Sequence, residues 1–274
     1  MCILEGIILV LSIFIGLIIN HFICISLNIY YFWIGILIIP FIYIILYALW
    51  LLFIFILGLF LNKKKEIKHF NNFCYWIVKE TDIFLLHLLR IKINKVDFDK
   101  IPKNEKYLLV CNHVSNFDQM VLIAALRNKN DKMAWISKPE NMNFPIAGPL
   151  IHHTGFISIN RESVFESIKA FKKAGNYLLN NECSIGVCPE GKRNKTDKIL
   201  LDFHPAIFEI ARIGKVPIIV IGLKNTKKIK NNAPFKKTSV EIKVIDSIKY
   251  NKDNDIKDIS NKVYKELYEY LKED

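Results

Sequence analysis

Residues 107–118 read Tyr107-Leu108-Leu109-Val110-Cys111-Asn112-His113-Val114-Ser115-Asn116-Phe117-Asp118, an apolar run that passes directly into helix-starting residues. A short, continuously apolar stretch suits a strand buried on both faces. Ser115 and Asn116 are residue types that cap helix N-termini, so a helix is expected to begin there. The strand's end then holds His113, and the first helical turn holds Asp118.

The same alternation continues outward. Apolar runs recur at residues 133–136, 156–159, 184–188 and 216–223, separated by helix-length stretches at 118–126, 162–180 and 205–213. Strands alternating with helices imply βαβ units, hence a largely parallel sheet with helices on its faces. A last apolar run at 239–245 is expected as an edge strand, and 256–271 has a helical period. No internal repeat and no Gly/Ser linker divides residues 66–274.

Upstream the composition changes abruptly. The chain of 274 residues has a formal net charge of +12, yet Glu5 alone is charged among residues 1–62. Residues 29–61 contain no charge and no Asn, Gln, Ser, Thr or His, which exceeds the ~20 apolar residues a spanning helix needs. Tyr30, Tyr31, Phe32 and Trp33 resemble an interfacial aromatic belt, and Pro40 is a candidate kink. Lys63, Lys64 and Lys65 put the far end on the cytoplasmic side by the positive-inside rule. The run at 3–27 is interrupted by Glu5, Asn20 and His21, and no basic residues precede it as a cleaved signal would want. It is read as a second span that completes a hairpin, with an in-plane helix as the alternative.

Residues 66–99 read as one basic amphipathic helix, with Phe73, Trp76, Ile77, Phe84, Leu85, Leu88 and Leu89 at helical spacing. Such a helix can lie in the membrane interface or pack on the domain. The expected organisation is therefore a membrane segment (1–62), a helical connector (63–100) and an α/β domain (101–274). An integral protein of the cell membrane is expected, with the α/β domain on the cytoplasmic face. Basic residues near an anionic surface contribute ~1 kcal/mol each, so membrane lipids are expected partners. The six cysteines match no zinc spacing and read as reduced packing residues. The pair His152-His153 has no ligand cluster around it, no P-loop ending occurs, and no nucleic-acid motif accompanies the lysine-rich stretches.

The chemistry gathers at strand ends, where α/β sheets bind ligands. A carboxylate at Asp118 can fold back onto one imidazole nitrogen of His113 and leave the other free to take a proton from a hydroxyl. The run Gly155-Phe156-Ile157-Ser158-Ile159-Asn160-Arg161 reads as a strand that ends in a cation. Cys188-Pro189-Glu190-Gly191-Lys192-Arg193 reads as a strand end followed by a tight basic turn, and a third end is read at Val216-Pro217-Ile218. Arg161 and Arg193 on neighbouring strand ends would hold a phosphate by bidentate bonds.

The order Asn-His-x-x-x-x-Asp, Gly-x-x-x-Ile-x-Arg, Pro-Glu-Gly-x-Arg, Val-Pro-Ile resembles the glycerophospholipid acyltransferases, in particular the 1-acylglycerol-3-phosphate acyltransferases. The likeness covers residues 107–223. It implies that His113 is the general base and Asp118 its orienting partner. It likewise implies that Arg161, Glu190, Gly191 and Arg193 form the pocket for the acceptor phosphate. The implied reaction moves a fatty acyl group from a thioester of acyl carrier protein or coenzyme A to the sn-2 hydroxyl of lysophosphatidic acid, giving phosphatidic acid. It requires no covalent enzyme intermediate, no cofactor and no metal. Two positions depart from the family pattern: Lys192 stands where a threonine is usual, and Phe203-His204-Pro205-Ala206 replaces a Phe-Lys-x-Gly pattern. The alternatives are acylation of another lysophospholipid or of glycerol phosphate, and a non-catalytic protein that binds anionic lipid. A hydrolase lacks support, because no Gly-x-Ser-x-Gly elbow is present.

Overall fold

The computed structural model describes residues 2–27, 32–62, 65–127, 132–145, 147–160 and 163–273. Tyr30, Tyr31, Lys63, Lys64, Arg161 and Glu162 lie outside the described residues, so the aromatic belt, part of the lysine cluster and one expected phosphate ligand rest on sequence alone.

In chain order the elements are α1 (Ile3–Leu27), α2 (Phe32–Phe60), α3 (Asn72–Leu88), β1 (Ile91–Val96), β2 (Leu108–Cys111), α4 (Asp118–Leu126), β3 (Met133–Ser137) and α5 (Ala147–Thr154). They continue with β4 (Ile157–Ser158), α6 (Val164–Leu179), β5 (Ser184–Val187), α7 (Glu209–Gly214), β6 (Ile218–Lys224), α8 (Ile229–Asn232), β7 (Thr238–Ile248) and α9 (Ile256–Lys272).

The strands form one seven-stranded sheet in the order β1-β7-β6-β2-β5-β3-β4. Every neighbouring pair is parallel except β6 with β7. Five strands therefore run one way, and β7 with β1 run the other. The core lies in the middle of the sheet: Leu108, Leu109, Val110 and Cys111 are wholly buried, as a central strand covered on both faces must be. The α/β class with a mostly parallel sheet is thus the observed one.

Three readings are corrected. The helix assigned to residues 66–99 stops at Leu88, and Ile91–Val96 is a strand that pairs with β7 from Ile91↔Thr238 onward. Residues 239–245 belong to an interior strand, because β7 lies between β1 and β6 while β1 and β4 are the edges. Val216-Pro217 stands at the start of β6, where Pro217 O accepts the Leu108 N–H at the first residue of β2. That end of the sheet is opposite to His113, as suits a proline, which has no N–H to give a ladder.

The N-terminal helices are a hairpin. Stretches Ile3–Ser26 and Leu37–Phe60 are each long and apolar enough to cross a membrane, and most of each is exposed. Gly16 of α1 lies against Ile39 of α2, where a Cβ would come within 2.6 Å of Ile39 Cγ1. Small residues of this kind let apolar helices approach closely. The second half of α2 rests on α3: Tyr47 stacks on Phe84 at 4.0 Å, and Trp50 Nε1 donates to Thr81 Oγ1 at 3.1 Å. Between its two expected placements, α3 takes the packed one, with Cys74, Tyr75, Ile77, Ile83, Phe84 and Leu86 buried. His152 and His153 are explained by the same junction, since their Nε2 atoms donate to the carbonyls of Lys65 and Asn62 at 2.9 and 3.0 Å.

Candidate active site

The turn between β2 and α4 is held by an unusual number of side-chain to backbone bonds. Asn112, buried, mimics a ladder partner: its Oδ1 accepts the Leu223 N–H at 2.8 Å and its Nδ2 donates to the Leu223 carbonyl at 3.0 Å. This fastens the end of β2 to the end of β6. Next, the His113 N–H donates to Glu190 Oε1 at 2.6 Å, and the His113 carbonyl accepts the Asn194 N–H at 2.7 Å. The backbone on both sides of the ring is therefore clamped to the loop after β5.

Asp118, fully buried, closes the turn. Its Oδ2 accepts the N–H groups of Val114 and Ser115 at 2.9 and 2.8 Å and meets His113 Nδ1 at 2.9 Å. An ionised carboxylate only accepts, so Nδ1 carries the proton and Nε2 presents a lone pair. Burial pulls the ring's pKa down, but the charge of Cys188, the hydrogen bond and charge of Asp118 and the charge of Glu190 together outweigh it, and the His113 pKa lies above the ordinary 6.5. The imidazole is partly exposed, with 21% of its side-chain surface open, and it faces a cavity of about 700 Å³. That volume suits a small-molecule site.

The ends of β2, β3, β4 and β5 surround this cavity. Lys138 follows β3, and Lys192, Arg193 and Lys195 come from the loop after β5. These cations share the lining with the apolar side chains of Ile136, Ile159, Val164, Ile168, Phe171 and Ile207 and with the carboxylate of Glu209. Gly191 gives the basic loop its shape: with φ at +70° it occupies the left-handed region that favours glycine, and its N–H closes a turn on Cys188 O at 3.0 Å.

The expected residues are placed unevenly. His113, Gly191 and Arg193 all line the cavity, and Asp118 stands directly behind His113. Glu190 is not on the lining. It is buried, and its second oxygen accepts the Leu201 N–H at 3.0 Å, so it braces the turn from behind. Burial raises its pKa, and the two N–H bonds offset part of that rise. The sequence reading missed Lys138, Lys195, Asn112 and Asn194 as contributors. Lys138 carried the same signal as Arg161, a cation just past a strand, whereas the two asparagines act only through tertiary partners. His204 and Ala206, in the stretch that departs from the family pattern, also reach the lining.

Residues 92–224 match the family described as Acyltransferase. Over that segment the chain is similar to the acyltransferases. The matched segment begins inside β1 and ends with β6, so it contains every strand end around the cavity. Among related proteins, the mouse 1-acyl-sn-glycerol-3-phosphate acyltransferase alpha is 29% identical over 142 residues, covering 51% of this chain and 48% of that protein. A probable 1-acyl-sn-glycerol-3-phosphate acyltransferase of Mycoplasma genitalium is 28% identical over 169 residues, covering 58% and 62%. The chain spans about half the length of the curated relatives it matches. The fold is shared with the crystal structure of the 1-acyl-sn-glycerophosphate (LPA) acyltransferase, PlsC, from Thermotoga maritima, with a TM-score of 0.58 over 72% of this chain and 77% of that one at 19% identity.

Proposed function

We propose that this acyltransferase moves a fatty acyl group from a thioester to the sn-2 hydroxyl of lysophosphatidic acid, forming phosphatidic acid. The observation that carries the reading is the oriented His113–Asp118 pair, 2.9 Å apart, on a cavity lined by both cationic and apolar side chains. A lysophosphatidic acid has the matching halves: a phosphate monoester, a hydroxyl and an acyl chain. The relatives named above carry that substrate in their names.

The chemistry follows from the geometry. Alcohols are poor nucleophiles until a base takes their proton. The Nε2 of His113 takes it as the hydroxyl oxygen attacks the thioester carbonyl, and the same ring returns it to the departing sulfur. The new ester forms as the carbon–sulfur bond breaks. Anchoring the phosphate on Arg193 and its lysine neighbours fixes the hydroxyl beside the ring, which converts an encounter into an intramolecular step. Arg161, just past β4, is the further phosphate ligand in this reading.

Lys192 favours a phosphate monoester over a zwitterionic headgroup. It adds a charge where the family usually has a hydroxyl, and a monoester carries more negative charge than a phosphodiester. Acyl carrier protein or coenzyme A brings the acyl group from the cytoplasmic side, with the hairpin of α1 and α2 in the cell membrane, where the acceptor resides. Purified protein in detergent, given an acyl thioester with lysophosphatidic acid, is expected to release thiol and form phosphatidic acid. Thiol release at the same rate without an acceptor, or preference for another lysolipid, would replace the reading with hydrolysis or a different acceptor. Parallel runs with each thioester carrier identify the donor.

A further inference from the structure

Two sulfurs that the transfer reaction does not use meet at this site, Cys188 on its lining and Cys111 buried next to it. Cys111 ends β2, and Cys188 follows β5, one step beyond the Val110↔Val187 pair in their parallel register. Opposed residues of neighbouring strands project on the same face. The Sγ atoms of these two lie 3.6 Å apart. Neighbouring strands are ~4.8 Å apart, inside the ~4.4–6.8 Å Cα separation that a disulfide spans. That backbone spacing is compatible with a bond between them.

The two thiols differ in exposure and in chemistry. Cys111 is wholly buried, whereas Cys188 lines the cavity beside His113, and both are free. The hydrogen bond between the two thiols lowers the Cys188 pKa against the effect of burial, and the charge of His113 helps. The same bond and burial push Cys111 well up. A cavity-lining thiol with a lowered pKa and a second thiol in contact with it is the arrangement of an oxidant-sensitive pair.

We propose that Cys188 and Cys111 form an oxidisable dithiol, which a hydroperoxide converts to a disulfide that turns the acyltransferase site off. The Cys188 thiolate attacks the terminal peroxide oxygen. The O–O bond breaks, and the leaving oxygen takes up a proton as an alcohol, or as water for hydrogen peroxide. Cys188 is left as a sulfenic acid. The Cys111 sulfur then attacks it, its proton leaves with the hydroxyl as water, and the S–S bond forms. Two thiols lose two electrons, and the peroxide gains them. Joining the sulfurs pulls on Cys188, two residues before the Glu190 carboxylate that holds the His113 backbone, and withdraws a side chain from the cavity wall.

The cross-link stands apart from the acyl-transfer reading, and only the loss of activity rests on it. The test uses the full chain in detergent, reduced, desalted and exposed to hydrogen peroxide, then digested without reductant. The expected result is a peptide that joins Cys111 to Cys188 with the loss of two hydrogens, together with loss of transfer that dithiothreitol restores. Cys111→Ala is expected to abolish the linkage and leave Cys188 to oxidise irreversibly to its sulfinic and sulfonic acids. Cys188→Ala, altered on the cavity side, is expected to abolish the linkage as well. Free, alkylatable Cys111 and Cys188 after peroxide, a bond to another cysteine, or a Cys111–Cys188 bond with unchanged transfer would each overturn the proposal. A reduced protein without transfer would count against the substrate reading only, because the peptide map still reports on the thiols.

Discussion

Glu190 Oε1 accepts the backbone N–H of His113 at 2.6 Å while Oε2 accepts that of Leu201 at 3.0 Å, so one buried carboxylate ties the turn that carries His113 to the basic loop. Glu190→Gln turns one of those acceptors into an amide donor facing an N–H. A buried donor left without a partner costs ~1–3 kcal/mol, and that loss is expected in urea denaturation. The shifted His113 backbone is expected to lower kcat more than it changes the acceptor KM. An equal fall in acceptor affinity would instead put Glu190 on the phosphate.

His113→Ala is expected to abolish transfer while the circular dichroism spectrum is retained, because the ring is partly exposed and little packing is lost. Asp118→Asn keeps the shape but offers Nδ1 no fixed acceptor charge. General-base catalysis is worth about 10²–10⁴-fold, and a fall in kcat within that range is expected. Near-normal turnover in either variant would remove the pair from the mechanism.

The pH profile has a defined sign. In the proposed mechanism His113 acts as a base only when Nε2 is unprotonated, and its pKa lies above 6.5, so the acidic limb of kcat/KM is expected above that pH. For stability, a histidine with a raised folded-state pKa contributes most below the unfolded-state value and loses that contribution as pH rises through the folded one. Asp118→Asn removes one of the raising charges and is expected to move the limb downward. A limb below 6.5 in the native enzyme would contradict the environment described for the ring.

Arg193→Ala is expected to raise the KM for lysophosphatidic acid with little change in that for the thioester. Hydrogen bonds to charged groups contribute ~1.5–3 kcal/mol, which corresponds to about tenfold or more in binding. Steady-state kinetics with each substrate varied in turn measures this. An unchanged acceptor KM would take Arg193 out of the phosphate pocket.

Gly16→Leu places a branched side chain where even a Cβ meets Ile39 Cγ1 at 2.6 Å. Overpacking of this kind costs ~1–3 kcal/mol, and a lower melting temperature in detergent is expected. An unchanged melting temperature would mean that α1 and α2 do not depend on each other.

What was legible in the sequence was local. His113 and Asp118 lie five residues apart across a strand–turn–helix, and a single turn is enough to bring them together. The alternation Ile91-Lys92-Ile93-Asn94 was hidden because it follows an amphipathic helix without a break, and its partner Thr238 is far along the chain. Alternation in β7 reports that one face is open, not that a neighbouring strand is missing, so it was misread as an edge. Glu190 drew attention as a charge beside arginine, yet its role depends on two backbone groups that only the folded chain supplies. The Asn112 clamp on Leu223 is of the same kind.

The reversed direction of β7 bears on how the protein is made. β1 touches the sheet only through β7, since Ile91 pairs with Thr238 and β7 alone separates β1 from β6. As the chain leaves the ribosome, β1 waits with an unpaired edge until the last strand is synthesised. Contacts so distant in sequence form late and slowly. The apolar hairpin thus enters its surroundings long before the strand just downstream of it is seated, and insertion precedes completion of the domain.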